Sequence, residues 1–188
     1  MAAAAAAHPE AERVELWFMG EARVGQKGRT THVWCERGVR PRGARDVGFA
    51  STWLFGAVCP ERGAAIGLVL PEASTAAMNL FLAEIGAGLP ERTHAVLVLD
   101  RAGWHTGHGL DVPPNLTLVH LPAYSPELNP VEKLWQVLRE RFLSHRLFRD
   151  LDAVIDAACD AWRRLGDEPG RVRSLTAFPW LPRSVGNS

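Results

Sequence analysis

Residues 123–135 read Ala-Tyr-Ser-Pro-Glu-Leu-Asn-Pro-Val-Glu-Lys-Leu-Trp, and no other stretch of the chain says as much about its fold. The stretch predicts a loop with two prolines that leads directly into an amphipathic helix. One buried stripe at helical spacing is predicted for Val131, Leu134, Trp135, Leu138 and Phe142. Asn129 is a good N-cap, Pro130 suits the first helical position, and Glu132 then falls in the first turn, where an acid favours the helix dipole. Helix capping therefore explains Glu132 on its own, but it does not explain the loop before the helix.

A second informative stretch is the apolar run at 95–99, which ends on Asp100. A continuous apolar run of this length predicts a strand that is buried on both faces. Acids at the ends of strands are often simple turn residues. Local sequence alone therefore leaves Asp100 open between a turn role and a functional one.

The remaining pattern predicts further strands at 15–19, 30–35, 48–58, 64–70 and 116–121, with helices at 74–85 and from Leu151 to Trp162. In the first helix, Ser74 is the cap, Gly86 and Gly88 end it, and the buried face consists of Ala77, Leu80, Phe81 and Ile85. The second helix is capped by Asp150, and its buried stripe consists of Leu151, Val154, Ile155, Ala158 and Trp162. This order of an antiparallel meander, a helix, two strands and further helices indicates an α/β fold, a mixed sheet flanked by helices.

Composition limits the class of protein. The 188 residues suit one domain, and 47% hydrophobic and 22% charged residues are typical of a globular chain. The formal net charge of zero excludes a global basic field, but one segment is locally basic: Arg23, Lys27, Arg29, Arg37, Arg40, Arg42 and Arg45, with Glu36 as its acid. This segment either follows a phosphate backbone or is a solvated hairpin. Three cysteines without a Cys-x-x-Cys spacing argue against a disulfide framework and fit a reducing cytoplasm.

The strings around Asp100 and Glu132 together resemble the catalytic core of DDE transposases, specifically the mariner-related bacterial insertion-sequence enzymes. The resemblance rests on Ser-Pro-x-Leu-Asn-Pro-x-Glu at 125–132 and on Asp100 followed by Ala102-Gly103-Trp104-His105. It covers about residues 14–165 and implies an RNase H-like fold. In that fold the first acid lies on the first strand, the second at the end of the fourth, and the third on a following helix. By this resemblance Asp100 and Glu132 are catalytic acids and ligands of Mg²⁺ or Mn²⁺, and Glu127 is the weaker alternative to Glu132.

The first acid of the family is absent from this chain. Where the family has Asp-Glu after its first strand, this chain has Gly20-Glu21, and the residues on both sides fit without a gap. Neighbouring residues of a strand point to opposite faces, so we do not expect Glu21 to replace an acid at position 20. We expect an impaired strand transferase. The alternative is a non-catalytic remnant with the same fold and at most weak binding of DNA or a partner. An unrelated RNase H-like hydrolase is a third interpretation, which the Asn-Pro-Val-Glu string disfavours.

Several other residues allow a functional and a structural interpretation. His105 either contacts a phosphate or orients water near Asp100, or it is a loop histidine without a task, and the latter is favoured. The spacing of His105 and His108 is compatible with zinc, but no third ligand is in register. Trp53, Trp104 and Trp135 can stack on bases. Trp135 lies on the apolar stripe, which favours core packing.

The expected organisation is a lead-in at 1–13, a catalytic domain at 14–166 and an irregular tail at 167–188. The lead-in is rich in alanine and is not a convincing signal peptide, and no apolar run approaches the roughly 18–20 residues that a membrane span needs. The resemblance implies DNA as partner, a cytoplasmic location and no membrane. Because no helix-turn-helix region fits before Glu15, a separate helix-turn-helix protein is a further expected partner. A homo-oligomer is left open.

Overall fold

The computed structural model describes residues 1–27, 34–39, 48–107 and 109–186, the last two by their backbone only. The strands in this part of the chain are β1 (Arg13–Gly25), β2 (Ser51–Cys59), β3 (Ala64–Leu70), β4 (Thr93–Leu99), β5 (Leu116–His120) and β6 (Val185–Gly186). The helices are α1 (Ala2–Ala7), α2 (Thr75–Gly88), α3 (Gly103–Thr106), α4 (Val131–Val137), α5 (Leu151–Asp167) and α6 (Arg171–Thr176). A 3₁₀ turn (Pro126–Leu128) precedes α4, and a π-helical segment (Leu138–Leu143) follows it.

The strands form one mixed sheet in the order β3-β2-β1-β4-β5, and β6 pairs with the start of β1. β1, β2 and β3 make an antiparallel meander, whereas β4 runs parallel to β1, and β5 runs parallel to β4. The two parallel pairs require crossover connections, which α2 and the segment around α3 supply. The predicted mixed α/β sheet flanked by helices is therefore confirmed.

Both faces of the sheet are covered, and β1 shows how its sequence achieves this. Phe18 and Ala22 point into a core beneath α4 and α5, whereas Trp17 and Met19 point into a second core beneath α2. All seven residues of β4 are buried, as the continuous apolar run predicts. In the described part of the chain, none of the helices combines the length and the apolar character needed to cross a bilayer.

The strand predictions hold with changed lengths. β1 extends well beyond the predicted 15–19, because β2 pairs with it as far as Gly25. The strand predicted at 64–70 has the bounds of β3. Residues 30–33 of the strand predicted at 30–35 lie outside the described part of the chain, and Trp34 and Cys35 are not in a strand.

Helix α2 differs from its prediction at one end and on one face. Ser74 caps it as predicted, with its hydroxyl accepting from Ala77 N at 3.2 Å. Gly86 does not end the helix, which continues to Gly88. Its missing side chain lets the helix backbone approach the 113–115 segment, where Asn115 Nδ2 donates to Gly86 O at 2.8 Å. Leu80 is 60% exposed, so its assignment to the buried face was wrong, and the buried face runs instead through Ala77, Met78, Phe81, Leu82 and Ile85.

The two later helices also bury a shifted face. After Leu138 the chain widens into the π-helical segment, which has more residues per turn, and the predicted stripe residue Phe142 gives way to a buried Leu143. In α5, Leu151 is 42% exposed, and the buried face is centred on Val154, Ala158 and Ala161. Asp150 caps α5 as predicted, accepting from Ala153 N at 2.9 Å.

The segment after Gly166 is more ordered than the predicted irregular tail. Gly170 takes a left-handed conformation with φ 70°, and α6 begins directly after it. Val172 and Thr176 are buried, and the Thr176 hydroxyl donates to Val172 O at 2.7 Å. A helix this short carries too few periodic residues to be recognised from sequence.

Candidate active site

The predicted acids lie at one end of the sheet. Phe18 of β1 pairs with Val98 of the parallel strand β4. Gly20 and Asp100 each come two residues after this pair, so Gly20, within β1, lies beside the end of β4. The predicted placement of strand 15–19 beside strand 95–99 is therefore confirmed.

Asp100 and Glu132 line the same cleft, which has a volume of about 420 Å³. Its walls come from the end of β4 and from the loop before α4, with Asn129 and Tyr124 among the lining residues. The structure thus brings together the two acids that the sequence singled out. Glu127 is exposed on the 3₁₀ turn and does not line this cleft.

Asn129 fixes the start of α4 against the end of β1. Its side chain is buried, and its Nδ2 donates to Met19 O at 2.8 Å while its Oδ1 accepts from Val131 N at 3.3 Å. Asn129 thus accepts from an N–H at the start of the helix as predicted, but the residue directly before α4 is Pro130, which was predicted at the first helical position. A reciprocal bond from Glu132 is not needed, because the backbone N–H of Asn129 donates to Pro126 O at 3.0 Å. The Glu132 carboxylate is thus not required for helix capping.

The electrostatics of the cleft are those of acids held close together. Burial raises the pKa of Glu132. Arg139 opposes this effect, but the negative charges of Asp100 and Glu21 add to the rise. A carboxyl whose pKa is raised by burial and by neighbouring acids is stabilised in its charged form by a cation.

His105 forms a contact that sequence reasoning missed. Its ring is fully buried, with Nδ1 2.7 Å from Asp100 Oδ1 and Nε2 2.6 Å from Glu21 Oε1. Burial by itself lowers the pKa of His105, but the two carboxylates outweigh it and raise the pKa above its ordinary value. The expected loop position of His105 was wrong, since His105 lies in α3 and both ring nitrogens contact acids.

Glu21 points away from the side-chain direction of position 20, as predicted. Its carboxylate is 5% exposed and accepts from Trp104 Nε1 at 3.1 Å in addition to its contact with His105. A Cβ at Gly20 would instead face α4, 3.0 Å from Val131 Cγ1 and 3.4 Å from Trp135 Nε1. The two neighbouring positions of β1 therefore serve opposite faces of the sheet.

The indole N–H of Trp135 is buried and has no hydrogen-bond partner among the described residues. Such donors are rare in protein interiors and are unfavourable unless satisfied. This donor lies beside the side-chain position that Gly20 leaves empty, together with Asn129 Nδ2 at 3.7 Å from that Cβ position. The surroundings of Gly20 thus offer two donors to an acceptor that glycine does not carry. Trp135 itself is fully buried, so the prediction that it packs in the core is confirmed.

The donor set of the cleft suits a hard divalent cation. Asp100 and Glu132 supply carboxylate oxygens, which Mg²⁺ and Mn²⁺ prefer, and Mg²⁺ is commonly held by one or two carboxylates with water and substrate phosphate. No group of three or more His, Cys, Asp or Glu with metal-binding geometry occurs among the residues that the structure describes. His108, the second histidine of the zinc spacing, lies outside the described residues. The residues therefore fit a divalent ion with two protein carboxylates.

Comparison with known proteins identifies relatives of the chain. A family model described as DDE superfamily endonuclease matches residues 15–155. An uncharacterized protein of Sinorhizobium fredii, y4pE/y4sA, is 49% identical over 132 residues, which are 70% of this chain and 98% of that protein.

Solved structures with the same fold include complexes of Mos1. The Mos1 mariner paired end complex with Mn matches with a TM-score of 0.66 and 15% identity, covering 88% of this chain and 52% of the Mos1 chain. The paired end complex with Mg matches with a TM-score of 0.61 at the same identity and coverage. The chain thus spans about half the length of the Mos1 chain, and the similarity concerns the RNase H-like fold.

Proposed function

Because the chain belongs to the DDE superfamily endonuclease family, we propose that it is the catalytic domain of a DDE-type transposase whose activity is impaired by the loss of its first acid. In this proposal Asp100 and Glu132 are the remaining catalytic carboxylates, and Gly20 stands where the first acid belongs. The observation that carries the proposal is the shared cleft of Asp100 and Glu132 at the ends of adjacent elements. The predicted domain limits, 14–166, remain a prediction.

Asp100 and Glu132 would hold Mg²⁺ or Mn²⁺. When bound, two such ions activate the attacking oxygen and stabilise the leaving oxygen of a phosphodiester. The protein's own contribution is placement. Asn129 ties α4 to β1, which sets the position of Glu132 relative to Gly20 and Asp100. Burial and the charges of Asp100 and Glu21 raise the pKa of Glu132, and they outweigh the positive charge of Arg139, which lowers it.

The packing around Gly20 supports the loss of an acid there. Trp135 Nε1 and Asn129 Nδ2 are donors that a carboxylate at position 20 would accept from, and the Trp135 donor is otherwise unsatisfied among the described residues. Glu21 is committed to His105 and Trp104 on the other face of β1. We therefore propose that Glu21 does not compensate for Gly20.

DNA is the proposed substrate, with the basic segment that begins at Arg23 as a candidate contact surface. Arg23, Lys27 and Arg37 belong to the described residues, whereas Arg29, Arg40, Arg42 and Arg45 lie outside them. Mos1 has been solved in complex with its left transposon end. A separate helix-turn-helix protein, a homo-oligomer and a cytoplasmic location complete the proposal. The free cysteines Cys35, Cys59 and Cys159 agree with a reducing compartment.

The non-catalytic alternative keeps the same fold and at most weak binding of DNA or a partner. Gly20 favours this alternative for the unmodified chain, because Asp100 and Glu132 are then two acids in place of the three that would position the two metal ions. A misplacement of about 1 Å can lower a rate on the order of 100-fold.

The test compares the 188-residue chain with its Gly20→Asp and Gly20→Ala variants. Nicking of supercoiled plasmid in Mg²⁺ or Mn²⁺ is measured, together with strand transfer on DNA that carries the element's ends when the end-binding protein is supplied. We expect little metal-dependent cleavage by the unmodified chain and by Gly20→Ala. We expect a gain on the order of 100-fold in Gly20→Asp.

Two results would contradict the proposal. Robust cleavage by the unmodified chain that is abolished by Glu21→Gln would make Glu21 the first ligand. A Gly20→Asp gain that survives both Asp100→Asn and Glu132→Gln would show that the cleft of these two acids is not the active site.

A further inference from the structure

Glu21, His105 and Asp100 form a continuous hydrogen-bonded chain that crosses from β1 to the end of β4. The imidazole lies between the two carboxylates, with ring-to-oxygen distances of 2.6 and 2.7 Å. Along the chain Glu21 and His105 are 84 residues apart. The burial of the group is graded, since His105 is 0%, Glu21 5% and Asp100 62% exposed.

We propose that His105 is a positioning residue that orients the Asp100 carboxylate toward the cleft. This inference rests on the proposed role of Asp100 as a metal-binding acid. His105 contacts Asp100 directly through Nδ1, whereas Glu21 contacts the opposite side of the ring at Nε2. Neither residue lines the cleft.

The hydrogen bonds to Asp100 are unevenly distributed over its two oxygens. Oδ1 accepts from Ala102 N at 2.9 Å and is 2.7 Å from His105 Nδ1. Every hydrogen bond that the described residues give to this side chain goes to Oδ1. Because Oδ1 is held on the protein side, Oδ2 is the oxygen left for a ligand in the cleft.

The ring of His105 is held from several sides, so it can transmit position. Trp104 Nε1 donates to the same Glu21 oxygen, at 3.1 Å, that His105 Nε2 contacts. The backbone of His105 is fixed as well, because its N–H donates to Ala102 O and its carbonyl lies 3.0 Å from His120 Nε2. A mostly exposed acid such as Asp100 would otherwise sample several rotamers, and ordering it before a ligand binds lowers the entropic cost of binding.

The competing explanation is that the Ala102 N–H alone orients Asp100, as in a common Asx turn. Two substitutions separate the explanations, because they retain different halves of the imidazole. In His105→Asn the amide nitrogen falls near the position of Nδ1 and keeps the contact with Asp100. In His105→Gln it falls near Nε2 and keeps the contact with Glu21.

The experiment places both substitutions in the full chain and in its Gly20→Asp variant, with Asp100→Asn as the reference for a lost ligand. Mn²⁺ affinity is measured by titration with detection of free Mn²⁺ by electron paramagnetic resonance. Thermal stability and a crystal structure are obtained for each variant. We expect His105→Gln to lower Mn²⁺ affinity about 10–100-fold, the usual effect of losing a hydrogen bond to a ligand. His105→Asn retains most of the affinity, and Asp100 keeps its orientation in His105→Asn only.

Three results would overturn the inference. Asp100 could keep its orientation, and Mn²⁺ its affinity, in both variants, in which case the Asx turn suffices. Affinity could follow the thermal stability of the two variants rather than the retained bond, which would make the role merely structural. Asp100 could lose its orientation in both variants alike. If no form binds Mn²⁺, Gly20→Asp included, the proposed function fails, while the orientation of Asp100 in the two crystal structures still decides the positioning role.

Discussion

Three glycines form a row across the sheet, Gly20 in β1, Gly56 in β2 and Gly67 in β3, and the two ends of this row differ. A Cβ at Gly67 would overlap the ring of Trp162, and a Cβ at Gly56 would lie 2.5 Å from Trp135 Cη2. A Cβ at Gly20 would lie 3.0 Å from Val131 Cγ1, a tight contact that a small shift relieves. Glycine is thus required under the two tryptophans, whereas packing does not require it at position 20.

This difference separates the glycines that packing requires from one that packing does not require. Gly56 and Gly67 provide the flat surface on which Trp135 and Trp162 pack, with their ring centroids 5.9 Å apart. Gly20 lies at the edge of that surface, beside an indole N–H that has no partner among the described residues. The fold therefore keeps an environment suited to an acid at position 20.

The largest predicted effect on stability is at Gly67, the end of the row where packing requires glycine. Gly67→Ala forces a methyl group into the Trp162 ring, so we expect the free energy of unfolding to fall by about 3 kcal/mol, the upper part of the range for overpacking. Gly20→Ala adds the same group where only Val131 has to adjust, and we expect a loss of about 1 kcal/mol or less. Urea denaturation of the two variants measures both values.

The two alanine variants are each other's control, because each adds one methyl group to a strand glycine. Equal losses would break the comparison, since Gly20 would then be as constrained as Gly67. A larger loss at Gly20 would mean that packing alone accounts for its glycine.

The next effect is a coupling between position 20 and Trp135. In the unmodified chain, Trp135→Phe removes an unsatisfied N–H along with part of a buried ring. In the Gly20→Asp chain the same change removes a donor from a buried carboxylate. We therefore expect Trp135→Phe to destabilise the Gly20→Asp chain by about 1–3 kcal/mol more than the unmodified chain, the usual effect of leaving a buried acceptor unpaired.

A double-mutant cycle of Gly20→Asp and Trp135→Phe yields this coupling from four denaturation curves. Gly20→Ala replaces Gly20→Asp in the control cycle, because it adds the Cβ without the carboxylate. A coupling of the same size in both cycles would assign the effect to shape rather than to the hydrogen bond.

Local patterns predicted most of the scaffold. The apolar runs gave β3 and β4, and Ser74, Asn129 and Asp150 were recognised as caps because their hydrogen bonds are made within a few residues. The resemblance placed Asp100 and Glu132 together, and the structure puts them in one cleft.

The features that were missed depend on residues distant in sequence. The contact of His105 with Glu21 joins residues 84 positions apart, which the pairing of β1 with β4 brings near. The glycine row is a register effect between strands and leaves no periodic signal within any one of them. The shift from Phe142 to Leu143 arises because a π-helical segment breaks the 3.6-residue period that the stripe assumed.

The smallest predicted effect lies away from the row, at the cap of α5. The backbone hydrogen bond from Ala153 lowers the pKa of Asp150 below its ordinary 3.8; burial opposes this effect, and Arg149 adds to the lowering. Because the folded-state pKa lies below the unfolded one, this charge stabilises the fold above the unfolded pKa, and the contribution is lost as the pH falls through the folded pKa. Asp150→Asn keeps a side-chain acceptor but not the charge, so its melting temperature should fall slightly below that of the unmodified chain at pH 7. The difference should shrink as the pH falls below 4. Asp150→Ala loses the cap as well and should melt lower still. Asp150 does not contact position 20, so Asp150→Ala should leave the coupling between position 20 and Trp135 unchanged. If that coupling instead falls together with the melting temperature, it reports global stability rather than a local hydrogen bond.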